Sequence, residues 1–118
     1  MMRLGAVLAM FVVAPAPANV SGSWTFTVDM PKGHLVAPVS LTQAGDKVSG
    51  TQQRNEFTDV LAGSVAGDTL ILTTKFSRAD KDVTWTYRGM IKSATTMAGT
   101  LEMSNDPARQ LKWTAVKK

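Results

Sequence analysis

The chain contains no cysteine, and that absence removes several possibilities at once. It excludes disulfide staples, a thiolate nucleophile and any cysteine-ligated metal centre. Histidine is nearly as scarce, His34 being the sole imidazole in 118 residues. Placed beside Gly33 in a connecting segment, it is expected to be solvated, which argues against histidine-based catalysis or metal binding. Aromatic residues are few, with three Trp, one Tyr and four Phe. They are not interleaved with basic runs, and the formal charge of +4 is scattered along the chain. Nucleic acid is therefore not an expected partner. No i, i+3, i+4 apolar stripe survives beyond the first segment, so no helix of three turns is expected.

What is present begins with a distinctive N-terminus. Met1, Met2 and Arg3 precede an apolar run from Leu4 to Val13, followed by Ala14-Pro15-Ala16-Pro17-Ala18. Ala16 and Ala18 fit the A-x-A pattern, so residues 1–18 read as a secretory signal peptide cleaved before Asn19. The run is too short for a bilayer core of ~30 Å, which needs ~20 residues, so no stable membrane anchor is expected. Residues 19–118 then form one secreted or periplasmic domain, whose core must stand on packing alone.

From Trp24 onward the chain alternates apolar and polar residues in short segments. Strands are expected at Trp24–Met30, Ala37–Gln43, Lys47–Gln53, Val60–Ala66, Thr69–Phe76, Val83–Ile91, Thr96–Met103 and Gln110–Val116. Tight turns follow the second, fourth and sixth, at Ala44-Gly45-Asp46, Ala66-Gly67-Asp68 and Ser93-Ala94-Thr95. Gly-Asp supplies the positive φ such turns demand. Longer links are expected after the first, third, fifth and seventh strands, at 31–36, 54–59, 77–82 and 104–109. In a meander these two classes lie at opposite ends. The fold expected is all-β, an eight-stranded antiparallel up-and-down barrel, with the longer links around a mouth. Gly50, Gly63, Gly89 and Gly99 share inward parity in one layer near the tight turns. Their missing side chains make room for Trp24 and Trp113, or let the strands bend sharply.

Gly22-Ser23-Trp24, opening the first strand, resembles the G-x-W motif of lipocalins and the wider calycin superfamily. Lys47-Val-Ser-Gly-Thr, Leu61-Ala-Gly-Ser-Val-Ala-Gly-Asp-Thr-Leu and Met97-Ala-Gly-Thr-Leu resemble small lipocalin-like barrels secreted by bacteria. The resemblance implies the same barrel and a ligand held in its open end. It departs from lipocalins in three respects. Lys92-Ser93-Ala94-Thr95 replaces the T-D-Y type motif, the C-terminal helix is absent, and Lys112 or Lys117 must stand in for the arginine that covers the motif tryptophan. Avidins share the G-x-W start, but Gln52 replaces a biotin-contacting tyrosine, so biotin is not implied.

Catalytic groups are sparse. Glu56, Asp59, Asp80, Asp82 and Asp106 fall in the longer links beside Arg54, Arg78, Lys81 and Arg109, as a charge-balanced solvated rim would. No twelve-residue calcium-loop pattern is present. No enzyme, metal or cofactor is expected. The polar residues of interest have inward parity: Gln52 and Arg54 on the third strand, and Arg109 before Leu111 and Trp113. With Leu61, Thr74, Phe76, Trp85 and Met103 they would line an apolar chamber with a few convergent polar groups. Two rim arginines suit an anionic head, because guanidinium engages carboxylate bidentately. The expected partner is thus a small hydrophobic or amphiphilic anionic ligand. The alternative is a filled barrel serving as a non-catalytic protein-interaction module, an inhibitor or accessory domain, through Leu35, Val36 and Phe57.

Overall fold

The computed structural model describes residues 18–78 and 81–118. The proposed signal peptide lies, but for Ala18, outside the described residues. Eight strands follow in order: β1 (Gly22–Met30), β2 (Gly33–Ala44), β3 (Lys47–Arg54), β4 (Phe57–Ala66), β5 (Thr69–Arg78), β6 (Lys81–Ser93), β7 (Thr96–Met103) and β8 (Asp106–Lys117). Each pairs antiparallel with its neighbour in sequence. β1 closes on β8, from Trp24 opposite Lys117 to Val28 opposite Trp113. The fold is a closed, eight-stranded, up-and-down barrel, as the alternation predicts.

The strands exceed the sequence expectation at one end. β2, β6 and β8 run to 12, 13 and 12 residues. The links expected to be long are therefore tight turns, such as Pro31-Lys32, Asn55-Glu56 and Ser104-Asn105. Asn55 adopts φ +51° to make its turn. The added strand ends at this rim, such as Leu35-Val36, Thr58-Asp59 and Lys81-Asp82, do not alternate apolar with polar residues and so lack the pattern that marks a strand.

The opposite end is sealed. Gly45 and Gly67 take φ of +64° and +59° in the expected Gly-Asp turns. The carbonyl of Asp46 accepts from Val65 N at 2.9 Å, and that of Asp68 from Ile91 N at 2.7 Å. Val20 is fully buried beneath the barrel, and its carbonyl accepts from Trp24 Nε1 at 2.8 Å. The glycine layer makes room for Trp113 at one position and for neighbouring backbone at others. A Cβ on Gly63 would lie 1.8 Å from the Ile71 carbonyl oxygen, and one on Gly99 1.9 Å from that of Arg88. These positions let neighbouring backbones close on each other. A Cβ on Gly89 would instead meet the Trp113 indole at 2.6 Å, so this glycine does make room for a ring. Lys117 crosses the strand start and sets its ammonium 6.0 Å from the centre of the Trp24 ring.

Candidate functional site

Above the sealed end the barrel is filled by aromatic side chains. Phe26 stacks on Trp113 with centroids 5.0 Å apart and planes at 4°. Tyr87 meets both edge-on, at 5.4 and 5.5 Å. Such contacts stabilise beyond simple area burial. Inward-facing Val28, Leu72 and Leu101 complete this layer as fully buried residues.

The next layer is polar. Gln52, Asp59 and Thr74 are 0, 6 and 2 % exposed. Buried polar groups demand partners, and here four side chains form one chain of hydrogen bonds. The Tyr87 hydroxyl donates to Gln52 Oε1, which orients the amide so that Nε2 donates to Asp59 Oδ2 at 3.0 Å. Arg54 clasps the same carboxylate from above, through Nε to Oδ2 and Nη2 to Oδ1. Burial alone would raise the Asp59 pKa. The hydrogen bonds from Arg54 and Gln52 and the arginine's charge outweigh it, and hold the carboxyl below the usual aspartate range. The hydrogen bond to Asp59 likewise raises Arg54. Burial pushes the Tyr87 phenol well above its ordinary value, so it stays a donor.

Arg54 forms the boundary between this layer and the opening. Its guanidinium lies 4.4 Å from the Phe76 ring centre and 5.8 Å from that of Trp85. Those two rings meet edge-on at 5.3 Å. Stacking and the bidentate clasp fix the fork in place. Guanidinium carries five N–H donors, and Asp59 engages Nε and one of the Nη2 hydrogens. The remaining donors are available to an anion above.

Two openings meet at Arg54 and Phe76. A mouth pocket of about 270 Å³ is floored by Trp85 and walled by Met30, His34 and Leu35. A larger cleft of about 510 Å³ opens sideways through the wall between β4 and β5. It exists because the β4–β5 ladder stops at Ala62 opposite Thr73, although both strands continue toward the mouth.

Of the residues expected at the site, Arg54, Phe76 and Trp85 line the mouth pocket. Gln52, Leu61 and Thr74 are buried below, and Met103 packs half-buried against the core. Arg109 does not join them. β8 jumps register between Met103 opposite Asp106 and Glu102 opposite Gln110, which leaves Pro107, Ala108 and Arg109 bulged. Parity fails across a bulge, and Arg109 pairs with Asp106 at 3.1 Å in solvent. His34 pairs with Asp29 at 2.9 Å, both well exposed.

Sequence reading missed Asp59, placed on the solvated rim, and left the role of Tyr87 open. The signal for Asp59 was present, since it shares parity with Leu61, Gly63 and Val65. Comparison with known proteins gives no lead: no protein-family model matches the chain, and no curated protein matches its sequence.

Proposed function

We propose that the protein is a secreted or periplasmic, non-catalytic, lipocalin-like barrel that binds one small, largely apolar ligand at its open end. The observation that carries this reading is the mouth pocket, where Trp85 and Phe76 offer an aromatic floor beside a pre-positioned Arg54. An apolar recess with one fixed cation fits a ligand with an apolar body and an anionic head. Gly22-Ser23-Trp24 supports the lipocalin likeness, because Lys117 covers Trp24 where lipocalins place an arginine. Gly22 takes φ +136°, a backbone conformation that side-chain-bearing residues rarely adopt. The non-catalytic part rests on Asp59. A carboxylate held ionised by Arg54 and Gln52 is the opposite of a proton-transfer group tuned near neutrality.

Tryptophan fluorescence tests the proposal. Trp24, Trp113 and Trp85 are 1, 1 and 4 % exposed, and of the three only Trp85 lines the mouth pocket. Titration with long-chain fatty acids and aromatic carboxylates should quench emission saturably, and Trp85→Ala should abolish that quenching. A panel that leaves the wild-type spectrum unchanged would remove the reading.

A further inference from the structure

The side cleft has a chemistry the mouth ligand does not explain. β4 is paired with β3 up to Phe57, and β5 with β6 up to Arg78. On their facing sides both strands run unpaired beyond Ala62 and Thr73. Continued register would set Val60 opposite Lys75, Asp59 opposite Phe76 and Thr58 opposite Ser77. Instead these six residues are the two banks of the 510 Å³ cleft. Each bank is a strand edge offering open backbone donors and acceptors, and an open edge is a template for another strand.

The edges are guarded only in part, by Lys75 on the β5 bank and by the inward-facing charges of Asp59 and Arg54. No proline or bulge interrupts either bank, and Val60 and Phe57 are 72 and 60 % exposed on the β4 side. Lys75 is the one ammonium on the cleft lining. Among the described residues no carboxylate lies within ion-pair distance of it.

From this we infer that the β4–β5 cleft is a docking slot for one extended segment of a partner polypeptide, bearing an apolar side chain toward Phe76 and a carboxylate beside Lys75. A peptide backbone answers both rows of open groups along their length, which a small apolar molecule does not do. Because β4 and β5 are antiparallel, the guest strand runs antiparallel to one bank and parallel to the other. Its side chains alternate between Phe76 within and Lys75 and Val60 without.

Selection of a displayed random decapeptide library on the folded protein tests the slot. The expected winners alternate apolar and polar residues and carry Asp or Glu, and Lys75→Glu removes that acidic preference. A synthesised winner should slow amide exchange about tenfold or more within both Phe57–Leu61 and Thr74–Arg78. Methylating its alternate backbone nitrogens should abolish binding. Protection of one bank alone, indifference to methylation, or no enrichment over an unrelated barrel each overturn the proposal. A concentration-dependent dimer that protects the same amides without peptide also overturns it, assigning the slot to a second copy. A ligand confined to the mouth quenches Trp85 without protecting both banks, so this proposal and the proposed function fail separately.

Discussion

The two halves of this barrel solve opposite problems. At the sealed end, apolar alternation, Gly-Asp turns and side-chain-free contacts between backbones hold the strands in their ladders, with one register shift between Ile91 and Ser93. At the open end, charge enters the interior, one ladder stops short and β8 bulges. The contrast separates stability from recognition. The closed half carries the packing that holds a domain without disulfides, which lets the open half keep interrupted pairing and the unmet hydroxyl of Thr74. Sites of this kind are expected where local rules are broken at a cost covered elsewhere.

The largest test of that division is Trp24→Ala. The indole is 1 % exposed, and its Nε1 holds the Val20 carbonyl across the barrel floor. Its removal should lower stability by about 3–5 kcal/mol through cavity formation and the lost hydrogen bond. Urea denaturation measures this. A midpoint close to wild type would mean that the sealed end is not where the fold is held.

Asp59→Asn comes next and probes the open half. It leaves Arg54 stacked on Phe76 with no opposing charge, and should cost about 2–4 kcal/mol at neutral pH. The pH dependence gives the sign. Asp59 is held below its unfolded value of about 3.9, so its stabilisation is complete above that pH. It drains away as pH falls through the lower folded value. The gap between wild type and variant should therefore narrow below about pH 4. A gap that stays constant from neutrality into that acid range would show that the carboxylate's charge does not hold Arg54.

The same contrast explains what could be read from the chain. In the closed half, Val48-x-Gly50, Leu61-x-Gly63 and Leu70-x-Leu72 alternate cleanly because one face is dry and the other wet. The strand count, order and closure were therefore legible. At the open end Arg54, Asp59 and Arg109 are all charged, and their type alone could not say which are inside. Parity does place Arg54 and Asp59 inward, and they stay there because they neutralise each other, a pairing that alternation within one strand does not reveal. The third is outside because a bulge at Pro107 resets the parity. The halted β4–β5 ladder left no mark, since Thr58, Val60, Lys75 and Ser77 read the same whether paired or open.

The smallest effect has the opposite sign, and so gives the sharpest contrast. Thr74 Oγ1 is buried just above the last β4–β5 pair without a protein hydrogen-bond partner. A hydroxyl in that state opposes folding, because its desolvation is not repaid by a bond. Thr74→Val keeps the shape and removes the penalty, so stability should rise by about 1 kcal/mol. In a domain of this size that is a thermal midpoint about 4–8 °C higher. Thr74 lines neither opening, so fatty-acid quenching should be the same in the variant as in wild type. A gain in stability with unchanged quenching would place the cost of the open half at a single oxygen. A loss of stability would mean that the hydroxyl is satisfied within the fold and that the open half is as settled as the closed one.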